Sequence, residues 1–389
     1  MEWHDESQLQ RMIRSSVREI AQSYDREYWH EVHEAREFPQ RFWDDLAEQG
    51  WVGVSIPEEY GGQGLGMKEM VTVIEELEVN GAWSIGNAFL LVPVFGGETL
   101  KAHGTEAQKE RWLPALAGGE ARFALGLTEP DAGLNTRNIS TVAERDGDEF
   151  VIDGQKIWTS GVHEADRAVV LARTLSPEEA NGPNHGLTMF LVDPNDPNVD
   201  YDKIELDSFM PEPTFNFYLD GVRVHEDQVI GEVHEGLYNV FDTLNTERIG
   251  AAAQMYGAGS YGLRRACEYA NEREVFDVPI GSHQAIQHPL ADAYADLEVA
   301  RLMYHRAAET YDAGEPAGPA SNIANLKTGE AAWNAIEASI TTFGGMSASK
   351  EMEVGKISQM LRHNRIAPIS EQMLRNYIAT KELGLPRSY

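Results

Sequence analysis

The apolar residues of this chain change their spacing twice, and that double switch restricts the folds open to it. Up to about residue 121 they recur every three or four positions. Leu9, Met12, Ile13, Val17, Ile20 and Ala21 share one helical face. Pro39 opens a second helix, "PQRFWDDLAEQ", which stops at Gly50. "GTEAQKERWLPAL" carries a capping box, with Thr105 at the cap and Gln108 three residues on. From about 122 to 232 the pattern shortens to β-rich runs: "EFVIDG", "RAVVLART", "LTMFLVD" and "FNFYLDGVRV". Asp146-Gly147 predicts a hairpin turn between two of them. No helical run separates these strands, which predicts an antiparallel barrel-like domain or sandwich rather than a parallel sheet. From about 233 helical spacing returns, over 236–273, 283–312, 317–342 and 370–383, lengths that suit a four-helix bundle. The expected architecture is α+β and multidomain: an all-helical domain over 1–121, a β domain over 122–232 and a helical bundle over 233–389.

At 389 residues, 42% of them hydrophobic, the chain can bury such cores despite a net charge of -31. That charge argues against binding nucleic acid or an anionic membrane. The acids are spread along the chain and Lys is scarce beside Arg, a pattern suited to a halophilic source where salt screens self-repulsion. Cys267 is alone, so no internal disulfide forms and a reducing compartment is expected. "MEWHDESQLQ" lacks the basic and apolar segments of a signal peptide, and no apolar run approaches bilayer length. A cytoplasmic protein is expected.

Some motifs read as ordinary structure. "GGQGLG" (61–66) has no strand–turn–helix unit around it and reads as a turn rather than a dinucleotide fingerprint. "HEVHE" (30–34) falls one residue short of a zinc-protease motif; an exposed helix face is expected for His30 and His33, and no metal site is expected anywhere. Neither a GxSxG motif nor a P-loop is present. Two stretches carry more. "GLTEPDAGLNT" (126–136) follows an apolar strand, and its backbone amides between Gly126 and Gly133 suit a phosphate or flat ring, or simply a strand-to-loop turn. "GQKIWTSG" (154–161) puts Trp158 beside two hydroxyls, Thr159 and Ser160, fit either for a planar cofactor or for the β-domain core.

Taken in order, these segments resemble the acyl-CoA dehydrogenase family of flavoproteins over nearly the whole chain. "IPEEYGGQGLG" and "HGTEAQKERWLPALAGGE" resemble its N-terminal helical domain. "LTEPDAGLNT" resembles its first signature and "GQKIWTSG" its second flavin-contact strand. "REVFDVPIGSHQAIQHPLAD" (273–292) is similar to the segment that reaches a neighbouring subunit's cofactor. "TFGGM" (342–346) and "RIAPISEQMLRNYIA" (365–379) stand where the family closes its flavin site. The resemblance implies FAD, a homotetramer or homodimer, electron delivery to an electron-transfer flavoprotein, and α,β-dehydrogenation of an acyl-CoA, with a carboxylate taking the α-proton and flavin N5 the β-hydride. It implies flavin contacts at Leu127, Thr128, Gly133, Trp158, Thr159, Ser160, Gly344, Gly345, Ser370 and Gln372. It implies contacts to the adenine-diphosphate part at Arg273, Phe276, His283 and Gln284; a guanidinium at 273 suits phosphate on its own chemistry.

The sequence departs from that family at three places. Leu134-Asn135 replaces the usual Ser-Asp, Asp277 stands where Gly usually follows the Phe, and Ala367-Pro368-Ile369 replaces the Tyr-Glu-Gly that carries the catalytic base in many members. A proline takes no proton. The family's second location for the base, found in long-chain and isovaleryl-type members, lies on the helix entering the bundle directly before an Arg. Here that is Glu247 in "LNTERIGAAAQ". A carboxylate in a dry pocket has its pKa raised toward the task, and the small residues Gly250 to Ala253 leave room beside it. Neighbours on a helix diverge, so Glu247 and Arg248 are not expected to pair; Arg248 and Asn245 are directed to the CoA side or to their helix neighbours. The competing readings are a solvated Glu–Arg pair, an acyl-CoA oxidase or nitroalkane oxidase on the same fold, and a catalytically silent acyl-CoA-binding member.

Overall fold

The computed structural model describes residues 6–387. Its first helix shows how local chemistry fixes each boundary. Ser7 and Gln10 close a reciprocal capping box, α1 (Gln8–Gln22) follows, and Ile13, Val17 and Ala21 turn inward. Next come α2 (Arg26–Ala35), α3 (Gln40–Glu48), α4 (Met67–Val79) and the short α5 (Gly86–Phe89). Here α5 widens directly into a π-helical segment, Leu90–Glu98, which contains Pro93, and then tightens again as α6 (Thr99–His103). Long π segments are rare and tend to mark functional places. The predicted capping box of Thr105 and Gln108 opens α7 (Glu106–Ala117).

The middle region is one sheet: β1 (Phe123–Gly126), β2 (Val142–Asp146), β3 (Glu149–Ser160), β4 (Arg167–Arg173), β5 (Leu187–Val192), β6 (Val199–Lys203), β7 (Thr214–His225) and β8 (Val229–Ile230). Its order is β6-β7-β3-β2-β4-β5-β8, with β1 on β4. The expected barrel does not close, because β6 and β8 lie at opposite ends of this order without pairing. Nor is the sheet wholly antiparallel: β1 runs parallel to β4 over four residue pairs. The β2–β3 hairpin is inserted between them, so the chain re-enters beside β1 in the same direction. The hairpin turn itself sits one residue later than predicted. Asp146 pairs with Glu149, so Gly147-Asp148 form the loop, with Gly147 at φ 69°.

The β4 run reads as continuously apolar because both its faces are covered. Ala168, Val170 and Ala172 point into the core of the sheet domain, with Phe150, Phe190 and Phe217. Val169 and Leu171 point into a larger core shared by the helices before and after the sheet. The third region is led by α8 (Gly236–Glu272), then a small hairpin of β9 (Glu274–Val275) and β10 (Val278–Pro279), then α9 (Gln284–Asp312) and α10 (Gly318–Phe343). The sequence reading missed α11 (Val354–Asn364), and the segment expected over 370–383 is α12 (Glu371–Tyr377) ending in a π turn. Among the described residues no helix is long and apolar enough to cross a membrane. His33 is buried, not exposed, and shares a 2.8 Å hydrogen bond with Ser84; burial lowers its pKa to about 3. No cluster of potential metal ligands occurs among the described residues.

Candidate active site

Glu247 lies in the first third of α8, at the start of a run, 246–259, that is buried without interruption. Its side chain is nearly closed off, at 6% exposure, and Oε2 finds no hydrogen-bond partner. Burial raises its pKa to about 8, against a smaller downward pull from Arg248. The two side chains form no ion pair, as their divergence on the helix requires. Arg248, itself 8% exposed, turns away and donates from Nη1 to Asn245 Oδ1 at 3.2 Å, while its Nε is left without a partner. Asn245 also accepts from Ser321 Oγ at 3.2 Å. It lines a cleft of about 900 Å³ whose wall includes Lys101, Asp242, Tyr311, Gly318 and Tyr377. Two residues round a helix is about 200°, so this cleft and the Glu247 carboxyl lie on different faces of α8.

The face that Glu247 shares with Thr243, Gly250 and Gln254 meets the π segment. Thr243 and Thr99 hydroxyls are 3.1 Å apart. A Cβ added at Gly250 would stand 3.0 Å from Leu90 Cδ2. Gln254 Nε2 donates to Asn87 Oδ1 at 2.8 Å. On its other side the π segment touches the sheet domain: a Cβ at Gly161 would lie 3.5 Å from Leu91 Cδ1. The π segment therefore stands between the Glu247 helix and the end of β3.

That end of β3 carries Trp158, Thr159 and Ser160. The pairing of β3 with β7 slips between Lys156 and Thr159, and Trp158 adopts φ 63°, an unusual backbone for a bulky residue. Its ring is 51% exposed. Thr159 is fully buried, and its Oγ1 lacks a partner. Ile157 N–H donates to Thr128 O at 2.9 Å, so the loop with Leu127 and Thr128 is tied to the same strand. Gly133 lies further along that loop with open space around it. The sequence reading missed what holds this corner together. The Lys156 ammonium, fully buried, donates to Glu129 Oε1 at 2.8 Å and Leu171 O at 2.7 Å, and Glu129 also accepts from Ser140 and Thr141. Burial pushes the Glu129 carboxyl up, but Lys156 and these hydrogen bonds outweigh it and hold it at about 2. The signal was present as one acid and one lysine inside otherwise apolar strand-end stretches.

The remaining expected residues form a separate group. Arg273 follows Glu247 by 26 positions, about 39 Å along a helix at 1.5 Å per residue, so a single chain does not bring them together. Arg273 N–H bonds Tyr269 O at 2.8 Å, and the Tyr269 ring packs on Phe343 at 5.2 Å, which places Gly344 and Gly345 at the same end of the bundle. Phe276 and Asp277 form the two-residue turn of β9–β10, both with positive φ, and Phe276 is 87% exposed. His283 and Gln284 are exposed at the start of α9. Cβ atoms at Gly344 and Gly345 would meet nothing within 4 Å. Ser370 caps α12, accepting from Met373 N, and Gln372 is exposed beside it.

These features fit a flavin dinucleotide. An open aromatic face and a buried unpartnered hydroxyl sit at one strand end, and an exposed guanidinium with uncovered glycines sits at the far end of the bundle. The family models agree. The acyl-CoA dehydrogenase N-terminal domain matches residues 7–120, the middle domain 124–222 and the C-terminal domain 234–383. Acyl-CoA dehydrogenase FadE12 of Mycobacterium tuberculosis is 37% identical over 389 residues, covering 99% of this chain and 98% of the relative. The caffeyl-CoA reductase-Etf complex subunit CarC of Acetobacterium woodii is 31% identical, covering 94% and 95%. The solved glutaryl-coenzyme A dehydrogenase in complex with glutaryl-CoA superposes with a TM-score of 0.93 at 27% identity, over 100% of this chain and 98% of that one. With all three domain models in place and this coverage, the chain belongs to the FAD-dependent acyl-CoA dehydrogenase family of oxidoreductases.

Proposed function

We propose that Glu247 is the base that removes the α-proton from a bound acyl-CoA thioester, and that the electrons pass on to an electron-transfer flavoprotein. One observation carries this reading: a carboxylate buried within a long helix, with an oxygen that has no partner and a pKa raised to about 8. Such a group is closer in basicity to a weakly acidic C–H than an exposed glutamate is. Pro368, at the other family location, takes no proton, which leaves Glu247 as the only acid at either position.

The other residues divide the work. Trp158, Thr159 and Ser160, with Leu127, Thr128 and Gly133, hold the flavin ring system, and the Lys156–Glu129 pair keeps that corner rigid. Bound FAD supplies the acceptor for the β-hydride. Arg273, Phe276, His283 and Gln284 hold the adenine-diphosphate part from a second copy of the chain, in a homodimer or homotetramer, and Gly344, Gly345, Ser370 and Gln372 complete the cradle. The roughly 39 Å between Arg273 and Glu247 supports a two-copy site. Asn245, on the wall of the neighbouring cleft, and Arg248 beside it bind the CoA part, and Arg248 places a buried positive charge next to Glu247, which favours its ionised form. The Etf complex named for the Acetobacterium relative supports the choice of electron acceptor.

The purified protein should be yellow, and acyl-CoA should bleach its flavin without oxygen. Glu247→Gln should bind FAD and resist bleaching. Unchanged bleaching in that variant would remove Glu247 from the mechanism, and rapid peroxide formation in air would favour an oxidase.

A further inference from the structure

The contacts between α8 and the α5–π–α6 strip set a limit on the acyl group. The two run antiparallel with a readable register: Thr243 meets Thr99, Gly250 meets Leu90, and Gln254 meets Asn87. Glu247 stands between the first and second of these levels. The N-terminal side of α8 leads outward, where Tyr238, Phe241 and Asp242 are exposed, and gives the bulky CoA its exit. The acyl tail must therefore run inward, along Gly250 toward Gln254.

That inward route closes quickly. Leu90 rests on Gly250, with Ile74 and Met67 beside it. One turn deeper, Gln254 is fully buried and held at both ends of its amide. It donates to Asn87 Oδ1 at 2.8 Å and accepts from Asn364 Nδ2 at 3.2 Å, while Asn87 Nδ2 reaches Glu212 at 2.9 Å. A tail driven through this clasp would separate hydrogen-bonded groups in a dry interior, where no water replaces the lost partners.

We infer that Leu90 seated on Gly250, backed by the Asn87–Gln254–Asn364 clasp, closes the acyl site one helical turn past Glu247 and restricts the enzyme to short acyl-CoA substrates. Three residues of helix span on the order of 4.5 Å, room for about three or four carbons beyond the α-carbon. This gives acyl groups of roughly six carbons or fewer. Of the longer or branched acyl groups toward which a base on the bundle-entry helix leans by resemblance, it excludes the longer ones. The inference rests on the dehydrogenation reading above.

The test uses the FAD-loaded protein mixed anaerobically with butyryl-, hexanoyl-, octanoyl- and dodecanoyl-CoA, following the bleaching rate. Wild type should slow by about tenfold or more between hexanoyl- and dodecanoyl-CoA. Leu90→Ala should raise the dodecanoyl-to-butyryl ratio by a similar factor. If that variant does not retain FAD, Leu90→Val shortens the same side chain by one carbon and should move the ratio in the same direction. Wild type that prefers dodecanoyl-CoA, or a ratio unmoved in a flavin-loaded Leu90 variant, would overturn the inference while leaving the dehydrogenation reading intact. A flavin that none of the four thioesters bleaches would overturn that reading, and this inference with it.

Discussion

Glu75 and Glu247 are the same side chain at nearly the same depth, yet their surroundings give them opposite properties. Glu75, on α4, is 3% exposed. Its carboxylate accepts from Arg14 at 2.8 Å, Arg301 at 2.7 Å and His305 at 3.1 Å, and from the Tyr304 hydroxyl. Burial pushes its pKa up, but Arg14, His305 and Arg301 overcome that and hold it well below the usual range. Glu247 has the same burial and almost none of the company, and its pKa rises to about 8. Depth alone does not raise a carboxyl's pKa; depth without partners does. Glu75 joins α1, α4 and α9 into one core, whereas Glu247 keeps an oxygen with no hydrogen-bond partner.

This contrast can be broken most directly by exchanging the two roles. Glu247→Gln should slow flavin bleaching roughly a hundred- to ten-thousand-fold, with melting unchanged or raised because no partner loses its bond. Glu75→Gln should do the reverse. Removing one member of a buried ion cluster costs about 3–5 kcal/mol, read by denaturant unfolding, while bleaching per bound flavin stays within a few-fold of wild type. A Glu75 variant that keeps its stability would show that the cluster is incidental.

The pH dependence sharpens the same point. If Glu247 must be ionised, the bleaching rate should climb about tenfold per pH unit and level off above about 8. Because Arg248 pulls that pKa down, Arg248→Gln should move the inflection to higher pH. A pH-flat rate from 6 to 9 would contradict the assignment. The smallest effect concerns folding. A carboxyl whose pKa is raised on folding, here from 4.5 to about 8, holds more protons in the native state, so its contribution to stability declines as pH rises through that window. Glu75, with a depressed pKa, contributes above the unfolded value and loses that contribution as pH falls. Between pH 5 and 8 the melting temperature of Glu247→Gln should therefore fall less with pH than that of wild type.

Much of this was readable from spacing and composition. The inward positions Ile13, Val17 and Ala21 of α1, the capping box at Thr105 and the switch to β runs follow from local patterns that survive folding, whereas Leu9 and Met12, expected on the same α1 face, are exposed and Gln10 and Arg14 are buried in their place. The closure of the sheet was misread because strand order depends on contacts far apart in sequence, such as β1 on β4, which no local pattern records. The helix α11 was missed for a related reason: it is short and follows "GGMSASKEMEVG", whose glycines and serines suggest a loop. At the proposed site, Glu247 is singled out by Pro368 at the other location, by the Arg that follows it and by the small residues 250–253. The π segment and the Asn87–Gln254 clasp left no trace, since a widened helix turn and a buried amide pair both look like ordinary helix in a linear sequence.

Trp158 has a consequence for how the protein matures. An aromatic residue held at φ 63° stores on the order of 1–3 kcal/mol of backbone strain, and about half of its side chain is exposed. A flavin stacked there would offset that strain with its own binding energy. With flavin stacked on Trp158 as proposed, folding and flavin binding are thermodynamically linked.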